Sequence, residues 1–269
     1  MNHFKKAPVV LMVIVLAAAL STVTAIVYAR PSDPPDVVVK SKPDGLELVM
    51  FIHYPKYPKA KPAAPGGGGT ACPSKISGKW ATKNLSFSVN PNGAVTDAAG
   101  NPLTATQIVA AVTAGFTPWD AASGLGAPSI STFAALPSSY ASETRNGVNE
   151  IAWASLSAKG FGNAIAVTYV WRSFATKAIV ETDMVNNSDP GFDWVDHAVV
   201  GDANTFSPPA TGKYDLTNID THEFGHVVGL DHVTETQHTM YRYGATDEVK
   251  KRSLECGEVK GVQKNYGTP

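Results

Sequence analysis

Strand-like runs gathered around one early helix, with a second helix late in the chain, predict an α+β fold. Three observations carry that reading. Apolar residues recur at helical spacing over residues 104–122, at Ile108, Val109, Val112, Phe116 and Trp119. Short apolar runs bounded by Gly, Asn, Ser or Asp stand at residues 85–89, 148–156, 164–171 and 178–185. Late in the chain, His222 and His226 are spaced to share one face of a helix. Hydrophobic residues make up 43% of the 269 residues and charged residues 17%, enough apolar material for a packed core. The net charge of -1, from 22 Lys+Arg against 23 Asp+Glu, leaves no basic footprint for nucleic acid.

Taken in order, the chain divides into residues 1–29, 30–69 and 70–269. Lys5 and Lys6 precede an uncharged run, residues 7–29, dominated by Val, Leu, Ile and Ala. This is an export signal, and two readings of it stay open. Val27 and Ala29 occupy the positions a signal peptidase reads, as in a cleaved signal peptide. Uncut, the run meets the length of about 20 residues that spans a bilayer, as in a signal anchor. Both readings put the remainder outside the cytoplasm, secreted in the first case and membrane-anchored in the second. Residues 30–69, punctuated by prolines from Pro31 to Pro65 and closed by Gly66 to Gly69, read as an extended lead with a flexible joint. Within them, the apolar run at residues 46–54 predicts a strand. That strand is either docked on the main domain or part of a pro-segment blocking the site, with His53 as its metal-directed group. Beyond Cys72 the pattern is that of a compact domain, opening with residues 85–89, where Leu, Phe and Val alternate with Ser as in a half-buried strand.

The chemistry is concentrated in His222-Glu223-Phe224-Gly225-His226-Val227-Val228-Gly229-Leu230-Asp231-His232. A chance match to H-E-x-x-H-x-x-G-x-x-H is on the order of one in a hundred thousand for such a composition. Four residues apart on a helix, His222 and His226 project from one face at a distance a single zinc ion bridges. Glu223, one residue along, is placed to reach a water in the fourth coordination position as general base and acid. Thr217 and Asp220 have the spacing of a capping box, so the helix is expected to start within residues 216–219. Gly229 supplies the positive φ needed to end it and return His232 as third ligand. Three neutral imidazoles leave one position open, the arrangement of a catalytic rather than a structural zinc site.

This signature resembles that of the metzincin metalloproteases, recognised by the extended histidine motif and a later methionine turn, here Met240 in Thr239-Met240-Tyr241. Lys79-Trp80, Trp119 ending the first helix, Val180-Glu181-Thr182-Asp183 and the closing Gly261 to Gly267 are similar to the matrixin catalytic domain, so the resemblance covers residues 80–267. It implies a metzincin fold, with a twisted mixed five-stranded sheet, an N-terminal helix, an active-site helix and a small C-terminal subdomain. It also implies a zinc endopeptidase with one catalytic zinc, whose protein or peptide substrate lies extended along an edge strand, here beginning at Ala164, Ile165 and Ala166. A monomer is expected, with membrane contact only through an uncleaved N-terminus.

The chain departs from the animal matrixins in several places. No histidine lies between His53 and His197, so their structural zinc is not expected and the type is the prokaryotic one. Val233 follows the third histidine where the best-known matrixins have serine. Cys72 stands in Ala71-Cys72-Pro73-Ser74, not in the Pro-Arg-Cys-Gly context of a cysteine that occupies the zinc. With only 2 cysteines in an exported chain, a Cys72–Cys256 disulfide is expected instead. Asp183, Asp189, Asp193, Asp196 and Asp202 read as a solvated acidic surface, since calcium, though open, finds no loop motif here. His197 and His238 read as surface or packing residues. Asn186-Asn187-Ser188 fits the glycosylation acceptor pattern, as does Asn84-Leu85-Ser86. Two rival functions remain: a catalytically silent surface or binding protein on the same fold, and a thermolysin-like peptidase with Glu248 as third ligand.

Overall fold

The computed structural model describes residues 35–42, 44–56, 72–82, 85–123 and 144–269, and the backbone of 131–135. The export signal, the prolines before residue 35 and the Gly66–Gly69 stretch lie outside the described residues, as does Asn84. Among the described residues, no helix is long and apolar enough to cross a membrane.

Among the described residues, twelve strands and three α-helices run in the order β1 (Val37–Ser41), β2 (Leu46–Pro55), β3 (Lys79–Trp80), β4 (Leu85–Val89), β5 (Val95–Asp97), α1 (Ala105–Ala122), β6 (Ser131–Ala135), β7 (Asn149–Ala154), β8 (Ala166–Ser173), β9 (Ala178–Asn187), β10 (Trp194–Asp196), β11 (Tyr214–Asp215), α2 (Leu216–Val227), β12 (Tyr243–Gly244) and α3 (Cys256–Tyr266). The main sheet is mixed, with the order β1-β2-β8-β9-β7-β4-β6, and β12 and β3 pair with β2 and β9. It has nine strands rather than five. The expected five correspond to β8-β9-β7-β4-β6, and the excess comes from the N-terminal hairpin and two short pairings.

α1 begins where the sequence places it because Thr104 and Gln107 form a reciprocal capping box. Its buried stripe of Ile108, Ala111, Val112, Gly115, Phe116 and Trp119 packs on α2 and the sheet. Phe116 and Phe87 both meet Phe224 of α2 edge-on, with ring centroids 5.1 and 5.6 Å away. The Trp119 indole donates to the Thr221 carbonyl at 2.8 Å and ties the two helices together.

α2 starts at Leu216, but not through the expected capping box. Asp215 is the N-cap, its side chain accepting from the Asn218 amide. The Thr217 hydroxyl reaches Asp196 and the Ala111 carbonyl, while Asp220 accepts from Asn186. Every residue of this helix is buried, so its polar side chains are used for tertiary contacts rather than caps.

β2 is buried on both faces from Glu47 to Tyr54, which accounts for its near-continuous apolar sequence. It pairs antiparallel with β8 from Leu46↔Ser173 to His53↔Ala166. β8 is therefore an inner strand of the sheet and not the expected edge. Only Ala166 of the three residues expected to open it lies within it, Ala164 and Ile165 being buried just before its start.

The acidic-surface expectation fails at Asp183, which is buried because β9 is flanked by β7 and β8. His197 and His238 are packing residues, both buried, His238 against Glu258 at 2.9 Å. Asn186, also buried, donates to Asp220 and offers no sugar acceptor. Cys72 and Cys256 are joined in a disulfide.

Candidate metal centre and active site

α2 carries His222 and His226 one turn apart, with Glu223 between them. At Gly229 the chain takes φ +91°, and an added Cβ there would lie 1.9 Å from the Gly78 carbonyl oxygen. Only glycine meets both demands. The resulting turn returns His232 to the other two histidines, so that the three Nε2 atoms stand 3.1–3.2 Å apart. Ligands about 2.0–2.1 Å from one tetrahedral ion are separated by roughly 3.3 Å, so the donor set fits a single zinc.

Backbone carbonyls orient the rings. The His222 Nδ1–H donates to the Thr239 carbonyl at 2.6 Å and the His226 Nδ1–H to the Leu230 carbonyl at 2.9 Å, which leaves each Nε2 lone pair facing the centre. His232 Nδ1 lies 3.4 Å from a carboxylate oxygen of Asp36. Burial pushes His222 and His226 well below the ordinary imidazole value, and the neighbouring positive groups add to it. Burial also lowers His232, against the opposing pull of Asp36. The rings are held neutral, the form that ligates metal.

Glu223 is fully buried, and both its oxygens are engaged. Oε1 lies 3.0 Å from His53 Nδ1, and Oε2 accepts from the Thr168 hydroxyl at 2.6 Å. Burial raises its pKa to about 8, against the lowering effect of Thr168. His53 sits with its ring centroid 4.0 Å from that of His222. The ring of Phe51 stacks on His226 at 4.0 Å and meets His232 edge-on at 6.0 Å.

Met240 lies under α2. A Cβ on Gly225 would come within 2.1 Å of its Sδ, so the glycine between the two histidines of the helix is what lets the methionine approach. The Met240 amide donates to Glu258 of α3 at 3.1 Å, and its carbonyl accepts from Val233 at 2.9 Å. Lys251 was not singled out in the sequence. Its buried ammonium donates to the Thr239 and Tyr241 carbonyls and lies 3.3 Å from His222 Nδ1, and burial lowers it to about 8.

The structure thus brings together His222, Glu223, His226, His232 and Met240. Among the described residues, the ligand-type clusters are His222, His226 and His232, and His53, His222 and Glu223. Glu248, the rival third ligand, is in neither. Asp36, Thr168 and Lys251 were missed because no motif marks a residue that reaches the centre only through tertiary pairing. Residues 149–267 match the family model described as matrixin. No curated protein matches the chain.

Proposed function

We propose, from the match of residues 149–267 to the matrixin family model, that this protein is a zinc-dependent endopeptidase with His222, His226 and His232 as the ligands and Glu223 as the general base and acid. The observation that carries this reading is the convergence of three buried Nε2 atoms at 3.1–3.2 Å beside a buried carboxylate. Zinc, when bound, supplies Lewis acidity that activates water and polarises the scissile carbonyl. The Thr239 and Leu230 carbonyls keep His222 and His226 in the tautomer that ligates. Glu223 takes the water proton at a carboxylate oxygen and returns it to the departing amine. Met240 and Lys251 hold the Thr239–Tyr241 turn against α2, with Lys251 bonding two of its carbonyls. With β2 displaced, a peptide substrate adds as a strand beside β8.

We place this domain outside the cytoplasm. The run at residues 7–29 and a disulfide between the two cysteines support that placement. Because β2 covers the centre, the function is tested on protein cut between Lys56 and Cys72, loaded with zinc and given a quenched peptide library. Glu223→Gln is expected to lower hydrolysis by at least about 100-fold with zinc content unchanged. Activity surviving in that variant would remove Glu223 from its role. An inactive wild type that still binds zinc would favour the silent binding protein.

A further inference from the structure

β2 lies where a peptide substrate would. It runs antiparallel to β8 over eight register pairs and continues in parallel pairing with β12 at Tyr54↔Tyr243 and Pro55↔Gly244. Leu48, Met50, Ile52 and Tyr54 face one side, against Tyr169, Trp171 and Tyr243. From the other side Phe51 covers His226 and His53 engages Glu223. Asp36, just before β1, extends the hold: its carboxylate lies 3.4 Å from His232 Nδ1 and 3.5 Å from Arg242, and its carbonyl accepts from the Ile52 amide. His222, Glu223 and His226 have no exposed surface under this cover.

The hairpin's buried apolar side chains sit in the two smaller core clusters and not in the main one. The cluster that holds α1, α2 and the inner sheet runs from Leu85 to Val262 and contains no residue of β1 or β2. The domain's own covalent tie, Cys72–Cys256, begins after the hairpin, so a chain break between Pro55 and Cys72 leaves β1 and β2 held only by non-covalent contacts.

We infer that the β1–β2 hairpin is a resident pseudosubstrate: it fills the strand position beside β8 and keeps the centre latent until it is displaced. While it is docked, His53 of β2 occupies Oε1 of Glu223, the carboxylate assigned as general base. The activity arm of the test rests on the endopeptidase reading, whereas the exchange arm does not.

The test uses the full chain with Gly66–Gly69 replaced by the recognition sequence of a specific exogenous protease. Amide hydrogen exchange on β8 and hydrolysis of a quenched peptide library in zinc are followed before and after the cut. Tethered, the hairpin competes at an effective concentration of about millimolar, and the cut makes its binding depend on dilution. The uncut chain is expected to protect β8 and hydrolyse nothing. The cut and diluted chain is expected to exchange β8 at least about tenfold faster and to gain activity per molecule on dilution. A synthetic peptide of residues 35–56 should reverse both effects, and its Phe51→Ala variant should do so at least about tenfold less well, as for a lost aromatic anchor. Faster exchange without hydrolysis would uphold the pseudosubstrate and overturn the endopeptidase. β8 exchange unchanged by cutting and dilution, or full hydrolysis by the uncut chain, would make the hairpin a permanent strand and overturn the inference.

Discussion

His222 and His226 each spend Nδ1 on a backbone carbonyl, and that choice of tautomer decides what the other nitrogen can do. The motif made the residue types and their spacing legible, because one turn of helix and one glycine are local requirements. The partners that set their chemistry were not legible, since Thr168 arrives from β8 and Asp36 from the bend before β1. Asp183 makes the same point from the other side: as one aspartate among several it read as solvated surface, yet β9 buries it. There burial, with the charges of Glu181 and Glu150, raises its pKa to about 8 from 3.8. With the folded value above the unfolded one, the native chain keeps a proton that the unfolded chain releases. Stability is therefore expected to fall as pH rises from about 4 to about 8, and the penalty is complete above that range. Asp183→Asn keeps an oxygen for the Glu150 amide and removes the proton. In denaturant titrations it should flatten this slope and exceed the wild type by more than about 1 kcal/mol at the alkaline end. An unchanged slope would mean that the carboxyl is not desolvated.

Among the elements, α1 and α2 were legible because helical spacing and caps are written locally. β2 was legible as a strand, although nothing local told whether its partner would be β1 alone or β8 as well. The small sheet of β11, β10 and β5 was not anticipated, its strands being two or three residues long and too short for any periodicity. α2 is the element on which the site depends, and Gly225 is the point where it is closest to its support. A methyl group there would stand 2.1 Å from Met240 Sδ and 2.9 Å from Trp119. Gly225→Ala should raise intrinsic helix propensity, but it forces the Met240 turn away, and the second effect wins. Overpacking is expected to cost about 1–3 kcal/mol in thermal or denaturant unfolding. Zinc affinity should fall with it, because the displaced turn carries the Thr239 carbonyl that orients His222. A gain in stability would show that Met240 has free space.

At the scale of the whole molecule, the segment from Cys72 to Gly78 acts as a clamp between the end of the chain and the turn that carries His232. Ser77 donates to the Gly229 carbonyl, Asp231 donates to the Lys75 carbonyl, and Ile76 bridges Leu230. The disulfide fastens this clamp to the first residue of α3, next to Gly257, where a Cβ would sit 1.9 Å from the Pro73 oxygen. Its pairing was legible because two cysteines admit one intramolecular bond. Its position across the turn that carries His232 was not, since that follows from the path of the chain between them. Closing a loop with a sequence separation of 184 is worth about 5 kcal/mol on the chain-entropy model. Replacing both cysteines by serine should lower unfolding free energy by about 2–5 kcal/mol. A bond that only restricts the unfolded chain would leave the native zinc affinity untouched. If the clamp also fixes the turn, the double variant should bind zinc more weakly under conditions where it is still fully folded. Zinc competition measured well below the unfolding transition separates the two, and equal affinity in both proteins would confine the disulfide to the unfolded state.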